Sequence, residues 1–347
     1  MRAAVCKEAG APCVAEEIPV PTPTGRHLLV KVKAASLCQT DLTVMSGKVG
    51  THWFPLVPGH EAVCVVVQVP EEAEPWGFQV GDLVGAPLWC EFCLECRSCK
   101  SERFEYCAQM KAKGVHEAGF FSEYTTLDAA SVVLVTRNFG VNALLQGLDR
   151  RLSPIFCAGI TVWDGLAQAK LGVSESVGVV GAGGLGQLAT AYLTTRGYKV
   201  VVMDVQEKQL IACKEEYPGV ETINSGNCSD LPAKVREVNN GNLLNAAFVT
   251  SGAKAAYDST LPLLEPYGKL IVLGLPPKPV EISAYMMSDN RLSVIGARVP
   301  NPASTAKVNP RVFQLEDLNE MMALMSSARV DAGRMVVYFD KGLLRLE

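Results

Sequence analysis

The sequence predicts an α/β protein of two domains, one built on a doubly wound parallel sheet and the other rich in β-strands. Its 347 residues exceed what a single small core organises, so two domains are the natural expectation. From Val177 onward, short apolar runs alternate with helical patterns, as in a parallel sheet covered by helices. Before that residue, alternation such as that of residues 28–34 indicates half-exposed strands.

Composition narrows the class of protein. Apolar residues make up 48%, charged residues 20%, and the formal net charge is −4, so no basic surface for nucleic acid is indicated. The N-terminus lacks the apolar segment of a secretory signal, and no apolar run is long enough to cross a bilayer. We therefore expect a cytoplasmic protein whose twelve cysteines are metal ligands, catalytic groups or small buried residues rather than disulfides.

The β-rich part contains four predicted strands, at residues 28–34, 62–69, 83–86 and 119–126. The cysteine-rich segment 90–107 has too few regularly spaced apolar residues to be a core element, and the pattern then becomes helical over 138–152 and 158–171. Because the alternation of strands and helices lies in the middle of the chain, the two ends are expected to fold together. The predicted domains are 1–150 with 297–347, and 151–296.

The central domain begins with a glycine-rich turn. A buried strand, 177–180, leads directly into the turn, a helix is predicted over 187–196, and a second strand, 199–203, ends at Asp204. The glycines permit a tight turn whose backbone N–H groups can reach a pyrophosphate at the helix N-terminus. A purely structural turn is the alternative, but the strand–turn–helix–strand–acid order favours dinucleotide binding. The turn glycines are Gly181, Gly183, Gly184 and Gly186.

The rest of the central domain continues the alternation. Strands are predicted at 221–224, 246–250, 269–273 and 292–295, and helices at 230–238 and 253–264. A further amphipathic helix is predicted at 315–325.

Four cysteines in the loop have the spacing C-x2-C-x2-C-x7-C: Cys93, Cys96, Cys99 and Cys107. Short spacings of this kind let thiolates converge on one tetrahedral Zn²⁺, and four thiolates leave no open position, so the metal would be structural. Free thiols are the alternative, although clustered thiols are liable to oxidation. Cys90 adds another C-x-x-C unit and could displace one ligand.

Five motifs occur together in the order in which one enzyme family has them. They are Cys38-Gln39-Thr40-Asp41, Gly59-His60-Glu61, the four-cysteine loop, Cys157-Ala158-Gly159-Ile160-Thr161-Val162, and the glycine-rich turn. Over nearly its whole length the chain resembles the zinc-dependent medium-chain alcohol dehydrogenases, nearer the yeast and bacterial type than the plant cinnamyl type. The resemblance implies a GroES-like catalytic domain and a Rossmann domain.

The resemblance also implies a second, catalytic Zn²⁺ held by Cys38, His60 and Cys157, with a fourth position open to water or substrate. Glu61 would be a carboxylate able to approach the metal, and Asp41 would support the ligands. Thr40 matches the hydroxyl that passes the alcohol proton onward, although it could instead cap the following helix. Trp89 falls where the family has an aromatic wall of the substrate pocket, or it is a routine core residue.

The cofactor implied by the resemblance is NAD. Thr161, Leu185, Gly274 and Leu275 match positions beside the nicotinamide, and Arg334 matches a basic residue near the pyrophosphate. Asp204 can accept hydrogen bonds from the ribose hydroxyls and would repel a 2′-phosphate, a repulsion that Lys208 could soften.

Three departures from the family pattern are apparent. Gln39 stands where a pyrophosphate-binding Arg or His is usual, and Thr43 where many members have the His that ends the proton relay. The stretch 298–309 is short and proline-containing where a helix is expected.

The sequence therefore predicts an NAD-dependent enzyme that interconverts an alcohol and its aldehyde or ketone, with two Zn²⁺ per chain. A homodimer or homotetramer is expected, because the outermost strand of the nucleotide sheet pairs with its copy in the resembled family. Small molecules, not nucleic acid or membranes, are the expected partners. Two alternatives stay open: a recruited biosynthetic carbonyl reductase, and a zinc- and nucleotide-binding protein without turnover.

Overall fold

A computed structural model describes residues 1–48, 54–136, 152–300, 311–314 and 335–338. These residues form two compact units. Of the described residues, the first unit contains those up to Ile160 together with 299–300, 311–314 and 335–338, and the second contains Thr161–Arg298. No helix in the described part of the chain has both the length and the apolar character that a membrane span requires.

The first unit is built on a five-stranded antiparallel sheet in the order β8-β3-β4-β5-β9. Its core lies where apolar side chains of β3, β4 and β5 pack together, among them Val30, Cys64 and Val84. In β3 the buried Val30 is followed by the exposed Lys31, which is the alternation that the sequence predicts. The elements are β1 Arg2–Val5, β2 Val14–Glu17, β3 His27–Ala35, α1 Gln39–Met45, β4 Ala62–Gln68, β5 Leu83–Ala86, β6 Trp89–Cys90, α2 Arg97–Lys100, β7 Lys111–Ala112, β8 Tyr124–Asp128 and β9 Val133–Thr136.

The second unit is built on a six-stranded parallel sheet in the order β12-β11-β10-β13-β14-β15. The chain runs outward from β10 to one edge and then returns to the other, so the strand order reverses next to β10 and the predicted doubly wound sheet is confirmed. The elements are α3 Ala158–Ala169, β10 Ser176–Val180, α4 Gly184–Thr195, β11 Lys199–Asp204, α5 Glu207–Glu216, β12 Glu221–Asn224, α6 Leu231–Val238, β13 Leu244–Val249, α7 Lys254–Asp258, β14 Leu264–Val272, α8 Ala284–Asp289 and β15 Ser293–Gly296.

The central strands β10, β11 and β13 are mostly apolar and buried, as is typical of a parallel sheet covered by helices on both faces. All five residues of β10 are buried, as are Val200 to Met203 of β11. The described residues end with two short strands, β16 Arg311–Gln314 and β17 Met335–Tyr338, which pair in parallel.

Three predicted elements differ from the structure. The strand predicted at 269–273 begins five residues earlier, at Leu264. The strand predicted at 119–126 begins only at Tyr124, because the backbone from Gly119 to Phe121 bonds instead to residues 57–59. The helix predicted at 253–264 is the five-residue α7 followed by a short 3₁₀ turn, Leu261–Leu263, which contains Pro262.

Other elements were not predicted, or cannot be compared. The hairpin of β1 and β2 and the helices α5 and α8 have no counterpart in the sequence prediction. A disulfide joins Cys6 to Cys13 at the turn of that hairpin, contrary to the expectation of reduced cysteines. The predicted helices 138–152 and 315–325, apart from Leu152, and most of the shortened stretch 298–309 lie outside the described residues.

Candidate active site

Three potential metal ligands come together from three separate segments of the first unit. Cys38 precedes the first residue of α1, His60 lies two residues before β4, and Cys157 directly precedes α3. The ligand atoms of these three residues all lie within 4.8 Å of one another. His60 and Cys157 are buried, and Cys38 is partly exposed. The fold thus brings together a set that spacing along the chain does not connect.

Asp41, in the first turn of α1, holds two of these segments together. One of its oxygens accepts hydrogen bonds from His60 Nδ1 at 2.8 Å and from the Gly59 amide at 3.1 Å. The other oxygen accepts from the Cys38 amide at 2.9 Å. Because Nδ1 donates to a carboxylate, His60 Nε2 is the nitrogen left to face the thiols, 3.2 Å from Cys157 Sγ.

A close crossing of two backbones fixes the segment before His60. The amides of Gly119, Phe120 and Phe121 donate to the carbonyls of residues 57, 59 and 58 respectively. A Cβ atom at Gly119 would lie only 2.2 Å from the Gly59 carbonyl oxygen, so only glycine permits this approach. The residues that the prediction placed in a strand therefore serve to position His60.

The charges of the three ligands depend on one another. Hydrogen bonds from Cys157 and His60 lower the pKa of Cys38 to about 4. Burial lowers the pKa of His60, but hydrogen bonds to Asp41 and Cys38 outweigh it and raise the pKa to about 10. The same bond to Cys38, together with burial, raises the pKa of Cys157. A divalent cation fits this cluster of two thiols and one imidazole, because its binding displaces the protons on the ligand atoms.

Glu61 is buried beside this cluster but does not belong to the set of converging ligand atoms. One carboxylate oxygen accepts a hydrogen bond from the Ser36 hydroxyl at 2.8 Å, and the other has no hydrogen-bond partner. Burial raises the pKa of Glu61 to about 7. The structure therefore places Glu61 near the three ligands, held by Ser36, rather than among them.

The predicted proton-relay residues both lie in α1. Thr40 Oγ1 is 3.9 Å from Cys38 Sγ, and Thr40 is not the N-cap, because that position is Cys38. The Thr43 hydroxyl donates to the Gln39 carbonyl at 2.9 Å, so it is used within the helix. Trp89 belongs to a small apolar cluster with Cys157 and Ile160, and its Nε1 donates to the Val299 carbonyl at 2.6 Å.

The four-cysteine lobe also brings its ligand atoms together. The four sulfurs lie within 4.8 Å of one another, with Cys93 Sγ 3.5 Å from Cys107 Sγ and 4.0 Å from Cys99 Sγ. Four sulfurs about 2.3 Å from a central Zn²⁺ are about 3.8 Å apart in a tetrahedron, so the lobe fits this metal. Backbone amides of Cys96 and Gln109 donate to the sulfurs of Cys93 and Cys107. Cys90 lies outside the set, and its sulfur is 3.9 Å from a Glu117 carboxylate oxygen.

An ion pair fixes the start of this lobe to the sheet. Asp128, at the end of β8, is fully buried and accepts from Arg26 Nε at 2.6 Å and Nη2 at 2.7 Å. Both backbone groups of Phe92, the residue before Cys93, are bonded to this pair: the amide donates to Asp128, and the carbonyl accepts from Arg26. Sequence reasoning missed both charged residues, because they lie far from the cysteines along the chain.

The glycine-rich turn has two different sides. A Cβ atom at Gly186 would lie 1.9 Å from the Gly181 carbonyl oxygen, so this side is closed by backbone. At Gly183 and Gly184 a Cβ atom would meet nothing within 4 Å, and both residues are exposed at the start of α4. Amides at a helix N-terminus with open space before them suit a bound diphosphate.

The remaining predicted cofactor residues occupy different places in the second unit. Asp204 ends β11, and its oxygens accept from the Ala182 amide at 2.6 Å and the Gln206 amide at 2.8 Å. Lys208 is exposed on α5, and Thr161 and Leu185 are partly exposed in the first turns of α3 and α4. Gly274 is buried just after β14, whereas Leu275 is exposed. Arg334 lies outside the described residues.

Comparison with known proteins identifies both parts of the chain. The model of the "Alcohol dehydrogenase GroES-like domain" matches residues 24–137, and the model named "Zinc-binding dehydrogenase" matches residues 184–314. An alcohol dehydrogenase of Moraxella sp. (strain TAE123) is 29% identical over 354 residues, which cover 97% of this chain and 99% of the relative.

Two further similarities are consistent with these. Alcohol dehydrogenase notN of Aspergillus sp. (strain MF297-2) is 30% identical over 289 residues, which cover 82% of this chain and 80% of that protein. The crystal structure of an alcohol dehydrogenase from Aeropyrum pernix has the same fold, with a TM-score of 0.77 at 24% identity, over 97% of this chain and 99% of that chain. On this agreement of sequence and fold, the chain belongs to the zinc-dependent medium-chain alcohol dehydrogenase family, as its motifs predicted.

Proposed function

We propose that the protein is an NAD-dependent dehydrogenase that interconverts an alcohol and its aldehyde or ketone. The observation that carries the proposal is the convergence of Cys38, His60 and Cys157 from three distant segments. Two thiolates and one imidazole form a ligand set that suits a catalytic Zn²⁺ and leaves a fourth position for substrate. The first unit is accordingly the catalytic domain, and the second is the NAD-binding domain.

The proposed metal would supply Lewis-acid polarisation of the substrate oxygen. Asp41 keeps His60 in the tautomer whose Nε2 can bind the metal, and it also holds Cys38 in place. Thr40, whose Oγ1 is 3.9 Å from Cys38 Sγ, would exchange a proton with the substrate. Thr43 cannot continue this transfer as a base, so the proton leaves through water or through the cofactor ribose. A second Zn²⁺, in the four-cysteine lobe, would be structural.

The nicotinamide cofactor would accept or deliver the hydride. The open side of Gly183 and Gly184 suits its diphosphate, and Gly274 and Leu275 would flank its nicotinamide. Asp204 supports NAD over NADP, because its negative charge at the end of β11 would repel a 2′-phosphate. Glu207, whose carboxylate accepts from Asn224 at 2.7 Å, adds negative charge near the same strand end.

Initial rates with a panel of primary, secondary and cyclic alcohols, and with the matching carbonyls, test the proposal. We expect NAD(H)-dependent absorbance changes with members of the panel, a lower KM for NADH than for NADPH, and loss of rate in Cys157→Ala. Rates in the reductive direction alone would favour the biosynthetic carbonyl reductase. Binding of NADH and zinc without any turnover would contradict the enzymatic proposal and support the binding protein.

A further inference from the structure

The end of β13 is bonded to the beginning of the glycine-rich turn. The Thr250 amide donates to the Val180 carbonyl at 2.9 Å, and the Ser251 amide reaches the same carbonyl at 3.2 Å. The Thr250 hydroxyl lies 2.8 Å from the Gly181 carbonyl oxygen and 3.1 Å from that of Val180. One side chain from a neighbouring strand therefore bonds to the carbonyl at the first glycine of the turn.

Steric contact reinforces this bond. Gly181 has a φ of 103°, and a Cβ atom there would lie 2.9 Å from Thr250 Oγ1. The Gly181 carbonyl is enclosed between this hydroxyl and Gly186, where a Cβ atom would approach Thr250 Oγ1 to 3.0 Å as well. The turn thus has little room to shift without breaking its bond to Thr250.

The same segment also contacts the end of β14. The Gly274 amide donates to the Val249 carbonyl at 2.8 Å, and a Cβ atom at Gly274 would lie 2.4 Å from the Ser251 carbonyl oxygen. The hydroxyl of Tyr257, in α7, donates to the Gly274 carbonyl. Tyr257 is 4% exposed and packs in the core of the second unit, so its ring is a fixed support for this bond.

We propose that Thr250 and Tyr257 are positioning residues for the two ends of the cofactor. Thr250 fixes the turn that receives the diphosphate, and Tyr257 fixes the Gly274–Leu275 segment that flanks the nicotinamide. Leu275 is 77% exposed, so the position of this segment depends on the backbone bonds of Gly274. The inference rests on the proposed NAD site and assigns to it two side chains outside the glycine motif.

The two roles are separable, because ADP-ribose contains the diphosphate and adenosine of NADH but lacks the nicotinamide. A residue that acts on the turn affects both ligands, whereas a residue that acts at Gly274 affects only NADH. A general loss of structure would weaken the binding of both ligands in every variant. The comparison of the two ligands therefore separates positioning at Gly274 from a merely structural role.

The experiment measures the Kd of NADH by fluorescence and that of ADP-ribose by calorimetry. We expect Tyr257→Phe to weaken NADH binding about tenfold, as for loss of one buried hydrogen bond, and to leave ADP-ribose within about twofold. Thr250→Val should lower the affinity for both ligands about tenfold. Thr250→Ser, which keeps the hydroxyl, should bind both ligands with wild-type affinity. Tyr192→Phe is a matched control, since Tyr192 is a buried tyrosine of the same unit in α4.

Equal weakening of both ligands by Tyr257→Phe, or no change in either, would overturn the role of Tyr257. Wild-type affinity of Thr250→Val for both ligands would overturn the role of Thr250. If Thr250→Val does not fold, Thr250→Ala is measured in its place. Wild-type protein that binds neither ligand would refute the proposed cofactor site itself, a result distinct from either failure.

Discussion

Asp41 is a buried carboxylate whose two oxygens accept hydrogen bonds from three groups of the candidate metal centre. In Asp41→Asn only one oxygen remains, so at least one of these bonds is lost and the hold on His60 weakens. We expect zinc affinity at the catalytic site to fall about 10- to 100-fold, as for other residues that support metal ligands. Competition with a chromophoric chelator measures it.

The matched control for this prediction is Asp230→Asn, because Asp230 caps α6 in the other unit. It should leave zinc affinity unchanged. Equal affinities of wild type and Asp41→Asn would show that the remaining contacts position His60 and Cys38 without the carboxylate.

Thr40 and Thr43 form a matched pair on one helix with opposite expectations. Thr40→Ala should lower kcat and kcat/KM together, about 10- to 100-fold, because the hydroxyl acts in the transition state. Thr43→Val should change rates less than about twofold, because its hydroxyl is bonded to Gln39 within α1. Steady-state rates of alcohol oxidation check both. Full activity of Thr40→Ala across the pH range would contradict the relay.

At the scale of elements, the four-cysteine lobe depends on an ion pair outside its own sequence. Asp128→Asn removes the charge that pairs with Arg26 and weakens the bonds to the Phe92 backbone. We expect a chelator to remove zinc from the lobe several times faster than in the wild type, because breaking a buried ion pair leaves a charge uncompensated. The rate of release of the catalytic zinc should not change.

Lys111→Gln is the control, since Lys111 pairs with Glu117 and with Glu91, the residue before Phe92, but has no bond to the Phe92 backbone in the described chain. It should release zinc at the wild-type rate. If both variants lose zinc equally fast, local charge rather than the hold on Phe92 decides retention.

Elements with a regular apolar pattern could be predicted from the sequence, and those set by long-range contacts could not. Strands β10, β11 and β13 are short apolar runs, and the predicted positions of β10 to β13 agree with the structure within one or two residues. The segment after Gly119 also begins with two apolar residues, but its backbone bonds to residues 57–59, which no local pattern reveals. In the site, motifs located Cys38, His60 and Cys157. Arg26, Ser36 and Tyr257 carry no motif, because they act through contacts with distant parts of the chain.

At the scale of the whole molecule, β15 is the outermost strand of the six-stranded sheet and pairs only with β14 in the described chain. An unpaired edge favours addition of a further strand. We therefore expect a homodimer, or a homotetramer built from two dimers, in which β15 pairs with its copy. Light scattering over a micromolar concentration series checks the assembly, and a monomer throughout the series would contradict it.

The two ligand sets differ in how much of the chain must fold before each is complete. Cys93 and Cys107 are 14 residues apart, whereas His60 and Cys157 are separated by 97. Closing the longer loop costs about 2 kcal/mol more in chain entropy, and it also requires the sheet of the first unit to be in place. During synthesis on the ribosome, the lobe can therefore bind its metal before the nascent chain has been extended to Cys157. We therefore expect zinc uptake to be ordered in time, with the proposed structural ion entering before the proposed catalytic one.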